Sequence, residues 1–244
     1  MITNEMIEQA REIVRRLSIP ANFGVGEDCD CEAEDVNELR DQIYNLGFLG
    51  FGDYQVENGI SKAVIIFDNL PFVIKIPFNG TWHSEYDYDE ANDEWVEAER
   101  EFYEFSCARA YDNSDYCWNE YDKIKMAQER GYGQLFPDME QVWEDENGRH
   151  FYIQEKVQTS REGASKEVSE NSRARAESMD KQYKICNDSW RASVIEYYSE
   201  ALWISFVNWN DSGFLGYLDD MHGSNYGYRF DGTPVLIDVA GFRD

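Results

Sequence analysis

The sequence predicts an α+β protein in which helices and antiparallel strands occupy separate stretches of the chain. Three observations predict it. The first fifty residues carry apolar side chains at helical spacing, residues 54–76 hold short β-rich runs split by Asn-Gly and Asp-Asn turn signals, and from Trp190 an aromatic helical pattern returns. A hydrophobic content of 42%, with 15% aromatic, is ample for a core in 244 residues, either as one large domain or as two small lobes.

In chain order, Met6, Ala10, Ile13, Val14 and Leu17 share one face of a helix over residues 4–17, with Asn4 as its cap and Pro20 beyond its end. A Gly- and acid-rich loop follows over residues 21–34. Val36, Leu39, Ile43 and Leu46 then form a second amphipathic stripe that Gly47 stops. Strands at 54–56, 63–67 and 72–76 make an antiparallel meander of three. Over residues 93–109 the spacing of Trp95, Phe102 and Phe105 predicts a helix with those rings inward. A further helix, residues 116–130, ends at Gly131, and strands at 139–144 and 150–157 are joined by the turn Asp145-Glu146-Asn147-Gly148. Residues 159–179 are polar, which predicts a mobile segment or a solvated helix. Trp190, Val194, Tyr197, Ala201, Trp203, Ile204 and Phe206 mark one long, buried helix after it.

The charge is lopsided: 49 acidic residues stand against 22 basic ones, a formal charge of -27. Such a surface repels a phosphate backbone instead of releasing its counterions, which argues against direct nucleic-acid binding. It serves solubility, or it meets a partner with a basic face, imitation of a nucleic acid being one form of that. The five cysteines, Cys29, Cys31, Cys107, Cys117 and Cys186, are odd in number and scattered, so they read as reduced thiols of a cytoplasmic protein. Cys29-Asp30-Cys31 lacks the second pair that a zinc site needs. No apolar run is long enough to span a membrane, and the charged first helix is unlike a signal peptide. Three dispersed histidines give no zinc triad, and no Gly-x-Ser-x-Gly elbow offers a hydrolase nucleophile.

Chemistry concentrates near the C-terminus. Asp220 and Asn225 lie five apart in a glycine-bearing stretch, and Asp238 follows Asn225 by thirteen, closing the apolar run Val235-Leu236-Ile237. The turn Asp231-Gly232-Thr233-Pro234 lets the chain double back, so the three side chains can share a cleft. A carboxylate such as Asp220 can orient an attacking hydroxyl and accept its proton, while an amide oxygen and a carboxylate are hard ligands for Mg²⁺. Upstream, Phe72-Val73-Ile74-Lys75-Ile76 sets a lysine inside an apolar strand. It is either an edge residue reaching for water or a ligand for phosphates.

Taken together, Lys75, Asp220, His222, Asn225 and Asp238 resemble the pattern of the protein kinase-like superfamily, nearer to its aminoglycoside phosphotransferase and small-molecule kinase branch than to regulatory protein kinases. The resemblance covers roughly residues 53–244. It implies a bilobal kinase-like fold with an antiparallel N-lobe sheet and a truncated, mainly helical C-lobe. Residues 1–50 are then an N-terminal helical extension, 51–157 the N-lobe with an acidic insertion at 79–114, and 158–244 a shortened C-lobe. The implied activity is ATP- and Mg²⁺-dependent phosphoryl transfer to an unassigned acceptor. In it Asp220 is catalytic, His222 matches a histidine that those phosphotransferases often carry, Asn225 and Asp238 bind the metal, and Lys75 holds the α- and β-phosphates. The helical glutamate that pairs with the lysine is Glu120, with Glu97, Glu99, Glu101 and Glu104 as rivals. Gly59 is the one glycine kept in the phosphate loop, Glu57 and Lys62 standing where the family has the other two, and the backbone at Glu155 and Val157 would face adenine. The family's Asp-Phe-Gly reads Asp238-Val239-Ala240 here, with Gly241 one place late, and the chain stops six residues after Asp238. The alternative is a catalytically inactive pseudokinase, or an acidic binding or inhibitor protein that engages a basic partner surface.

Overall fold

The computed structural model describes residues 1–21, 23–25, 34–59, 61–78, 80–89, 91–104, 116–159, 188–210 and 226–238. Its first half runs α1 (Asn4–Val14), β1 (Gly24–Val25), α2 (Glu34–Asn45), β2 (Tyr54–Asn58), β3 (Lys62–Phe67), β4 (Phe72–Pro77), β5 (Gly80–Asp89) and β6 (Glu94–Glu104). After it come α3 (Tyr116–Glu129), β7 (Met139–Glu144), β8 (His150–Glu155), β9 (Gln158–Thr159), α4 (Asp188–Tyr197), α5 (Glu200–Asn210), β10 (Tyr226–Tyr228) and β11 (Pro234–Leu236). The fold is α+β, and the chain divides into two compact units. One comprises residues 2–118 and 140–154; the other comprises residue 1 with 119–139 and 155–244.

The first unit is built on a five-stranded sheet of order β2-β3-β4-β8-β7. The meander forms as its turn signals predict, with Val56 opposite Ile65 and Ile65 opposite Ile74. Strand alternation sends Ala63, Ile65, Phe67, Phe72, Ile74 and Ile76 to one face, where they join Ala10, Ile13 and Val14 of α1 and Val36, Leu39 and Ile43 of α2 in a single core. Burying each of these larger side chains is worth about 1.5–3 kcal/mol, and polar ties add to it. The Arg11 guanidinium donates to the Val142 carbonyl at 2.8 Å, and the buried Arg149 donates to Pro20 at 3.0 Å. The cap of helix α1 lies one residue before the expected Asn4: Thr3 accepts from the Met6 N–H at 3.3 Å and closes a capping box.

Residues 94–104 correct the helix expected over 93–109. They form β6, antiparallel to β5 from Asp89 opposite Glu94 to Gly80 opposite Glu104. The period-two signal was present in β5, where Trp82, Ser84, Tyr86 and Tyr88 alternate with His83, Glu85, Asp87 and Asp89. The turn is equally specific. The Asp89 carboxylate accepts from the Ala91 N–H at 2.9 Å and from the Asn92 amide at 2.8 Å, and Asp93 takes a left-handed φ of 58° that Asp tolerates better than most residues. Glu97, Glu99, Glu101 and Glu104 therefore lie on a strand, which removes them as helical rivals of Glu120. Strand β1 extends this hairpin, pairing in parallel with β5 at Gly24–Gly80 and Val25–Thr81.

In the second unit the long helix expected from Trp190 is two helices, α4 and α5. Ser199 breaks them, its hydroxyl accepting from the Leu202 N–H at 3.1 Å as an N-cap. Trp190 and Trp203 meet edge-on at 5.5 Å, and Phe206 packs on Phe136 at 6.0 Å. A small antiparallel sheet of order β11-β10-β9 completes the unit. Residues 160–179 of the polar stretch lie outside the described residues. Among those described, no helix is long and apolar enough to cross a membrane.

Candidate functional site

The five-stranded sheet has a second face, and Lys75 is on it. With Phe72, Ile74 and Ile76 committed to the core, alternation turns Val73, Lys75 and Pro77 the other way. Lys75 stands opposite Val64, Val73 opposite Ile66, and Pro77 opposite Lys62. On β8, Phe151 and Ile153 enter the core and leave Tyr152 and Gln154 to the second face, both buried. Strand β4 is the central strand of five, so Lys75 is no edge residue reaching sideways for water. It is 5% exposed, between half-buried Val64 and Val73. An ammonium withdrawn from water needs anionic or dipolar company, and Lys75 is not without interactions.

Gly59 lies at the β2–β3 turn, where its N–H donates to the Lys62 carbonyl at 3.0 Å. Neither its φ nor its surroundings require glycine: a Cβ there would meet nothing within 4 Å. Glu57 is exposed on β2 opposite Val64, while Lys62, at the start of β3, is buried.

In the second unit, Glu120 is fully buried on α3 beside Asn119 and Lys123, which are also buried. Glu155 ends β8 under several constraints. Its N–H donates to the Asp138 carbonyl at 2.8 Å, its carboxylate accepts from the Asp138 N–H at 3.2 Å, and Arg229 Nε reaches both carboxylate oxygens at 3.0 and 3.1 Å. The same guanidinium donates to the carbonyls of Gln134 at 3.0 Å and Phe136 at 2.6 Å. Tyr198 donates to Gln134 at 2.8 Å, and burial pushes its hydroxyl up to about 12, with nearby Arg229 pulling the other way. Val157 is half-buried between β8 and β9. It borders Gly227, where a Cβ would stand 2.5 Å from the Gln158 carbonyl oxygen and 3.4 Å from Val157 Cγ2.

Asp220, His222 and Asn225 lie outside the described residues. Tyr226, the residue after Asn225, pairs with Leu236, two residues before Asp238. The hairpin between them closes as the Asp231-Gly232 turn predicts. Arg229 donates its N–H to Thr233 at 2.8 Å, Gly232 adopts a φ of 86°, and hydrogen bonds from Thr233 hold the Asp231 carboxyl below its ordinary range. Asp238 is a half-buried carboxylate just past an apolar strand, a hard-oxygen donor of the kind Mg²⁺ takes. Among the described residues no cluster of three or more His, Cys, Asp or Glu side chains could hold a metal. Glu155, Val157 and Asp238 thus belong to one small sheet and its approaches, and Lys75 and Gly59 to the other unit.

Two residues that sequence spacing passed over stand out. Gln154 is a buried polar residue on the face that carries Lys75, and Arg229 ties β10 to the end of β8. The period-two register of His150-Phe151-Tyr152-Ile153-Gln154 could have singled out the first; no local pattern marks the second. The chain matches no family model, no curated protein and no solved structure.

Proposed function

We propose that the chain binds ATP with Mg²⁺ and transfers a phosphoryl group to an acceptor hydroxyl. The observation that carries this reading is Lys75, buried on the central strand of an antiparallel sheet and flanked across and along the strand by apolar Val64 and Val73. A withdrawn cation with valines across and along the strand suits a ligand that combines an apolar base with an anionic tail. Lys75 then neutralises the phosphates. Gly59 leaves the β2–β3 turn free of side-chain bulk for a phosphate to approach. The Glu155 N–H is already donated to Asp138, so the contact that Glu155 offers a base is its carbonyl, with the Val157 backbone beside it. Asn225 and Asp238 would hold Mg²⁺, which would supply positive charge to offset that of the transferring phosphate. Asp220 orients the acceptor hydroxyl and takes its proton as the new P–O bond forms and the bond to ADP breaks. In an assay of the full chain, Mg·ATP raises the melting temperature, and Asp238→Ala abolishes the rise.

A second reading has its own observation. The sequence from Gly80 to Glu104 has ten acidic residues and a single arginine, Arg100, and the hairpin register sets Glu85 opposite Glu99 and Asp89 opposite Glu94. Like charges directly opposite are destabilising, and a basic partner would relieve them. In this reading the chain is a catalytically inactive binding protein. A basic partner captured equally by wild type and by the double variant Lys75→Ala/Asp238→Ala would favour it.

A further inference from the structure

We infer that the end of β10 acts as a clamp on the Lys156–Val157 dipeptide, with Arg229 as the residue that positions it for a nucleotide base. The inference rests on the nucleotide reading above and concerns how the base-facing segment is held. Lys156 and Val157 are the two residues between β8 and β9. Their C-terminal side is held by pairing: Gln158 stands opposite Tyr228 and Thr159 opposite Gly227. Their N-terminal side is held by Arg229, the residue after Tyr228, whose guanidinium grips the Glu155 carboxylate at 3.0 and 3.1 Å. Three consecutive residues, Gly227, Tyr228 and Arg229, therefore fasten both ends of one dipeptide.

The clamp has a rigid back. The Arg229 guanidinium is fixed by the carbonyls of Gln134 and Phe136, and its ion pair with Glu155 is sheltered, each side chain only 20% exposed. Glu155 is fixed in turn by two hydrogen bonds with Asp138, one through its N–H and one through its carboxylate. A planar guanidinium serves three acceptors at once, which a lysine ammonium at the end of a flexible stem cannot reproduce. Gly227 sets the depth. With a Cβ site 2.5 Å from the Gln158 carbonyl oxygen, any side chain there must push residues 157–158 away from β10. Burial and hydrogen bonding thus prepay the ordering of a segment whose backbone would otherwise lose freedom when a base binds. The clamp has no part in gripping phosphate, which belongs to Lys75 on a different strand.

That separation defines the test. Isothermal titration calorimetry with Mg²⁺ measures ATP, adenosine and inorganic tripolyphosphate binding to the full chain and to Arg229→Lys, Glu155→Gln and Gly227→Ala. Each variant is expected to weaken ATP and adenosine by about tenfold. Tripolyphosphate affinity should stay within about twofold of wild type, because Lys75 is untouched. A structural defect without a positioning role lowers all three affinities together, and that result overturns the clamp, as does an unchanged adenosine affinity in the variants. If Arg229→Lys melts before it can be titrated, Glu155→Gln decides, since it keeps the size of the side chain while removing its charge and one of the two oxygens that accept from Arg229. A wild-type chain that binds none of the three ligands overturns the nucleotide reading itself, and the clamp with it.

Discussion

The two faces of the five-stranded sheet are made by the same strands and differ in kind. One is apolar from Val56 through Ile65 and Ile74 to Ile153 and is covered by α1 and α2. The other interleaves Val64, Ile66 and Val73 with buried Lys62, Lys75, Tyr152 and Gln154. The first gains free energy from every residue it buries. The second keeps charges and amides where apolar side chains would be more stable, and such departures from local preference are characteristic of sites that bind something.

Substitutions that damage one face and spare the other test this contrast. Ile74→Ala, in the middle of the covered face, should cost about 2–5 kcal/mol in denaturant unfolding and leave nucleotide affinity in the remaining folded protein unchanged. Lys75→Met should give the reverse: a smaller change in stability and loss of the response to Mg·ATP. Comparable loss of stability from both would make Lys75 another core residue.

Legibility from sequence followed the same division. The covered face was readable because Asn-Gly and Asp-Asn turns bracket its strands and α1 and α2 carry clear stripes. Lys75 was readable as a charge in an apolar run, yet its central position depends on β8 inserting beside β4, a pairing between strands more than seventy residues apart. The β5–β6 hairpin was misread because Trp95, Phe102 and Phe105 mimic helical spacing and acidic residues have poor strand propensity; the Asp89-to-Asp93 turn overrides both. The α4–α5 break was missed because the aromatic stripe continues through Ser199. Arg229 was invisible because its partners Glu155, Gln134 and Phe136 come from distant parts of the chain.

Smaller effects sharpen the comparison. Glu99→Lys, opposite Glu85 in the hairpin, exchanges a like pair for an unlike one and should stabilise by about 0.2–1 kcal/mol, an increment that shrinks with added salt. If the hairpin binds a basic partner, the same change should weaken that binding. Tyr198 gives the smallest signal, by pH. Its hydroxyl is raised from an ordinary 10.0 to about 12, so the neutral form is favoured in the fold. That contribution is fully present below pH 10.0 and is lost as the pH rises towards 12. Tyr198→Phe should flatten this part of the pH–stability profile.

The central claim, that the second sheet face is a nucleotide site, is tested most directly by the melting temperature of the full chain with and without millimolar Mg·ATP, measured beside Lys75→Ala. Occupancy at about one hundred times Kd stabilises by about 2.7 kcal/mol, so the wild type should melt several degrees higher with ligand and the variant should not respond. An unshifted wild type, or a Lys75→Ala variant that shifts as far as the wild type, would contradict it.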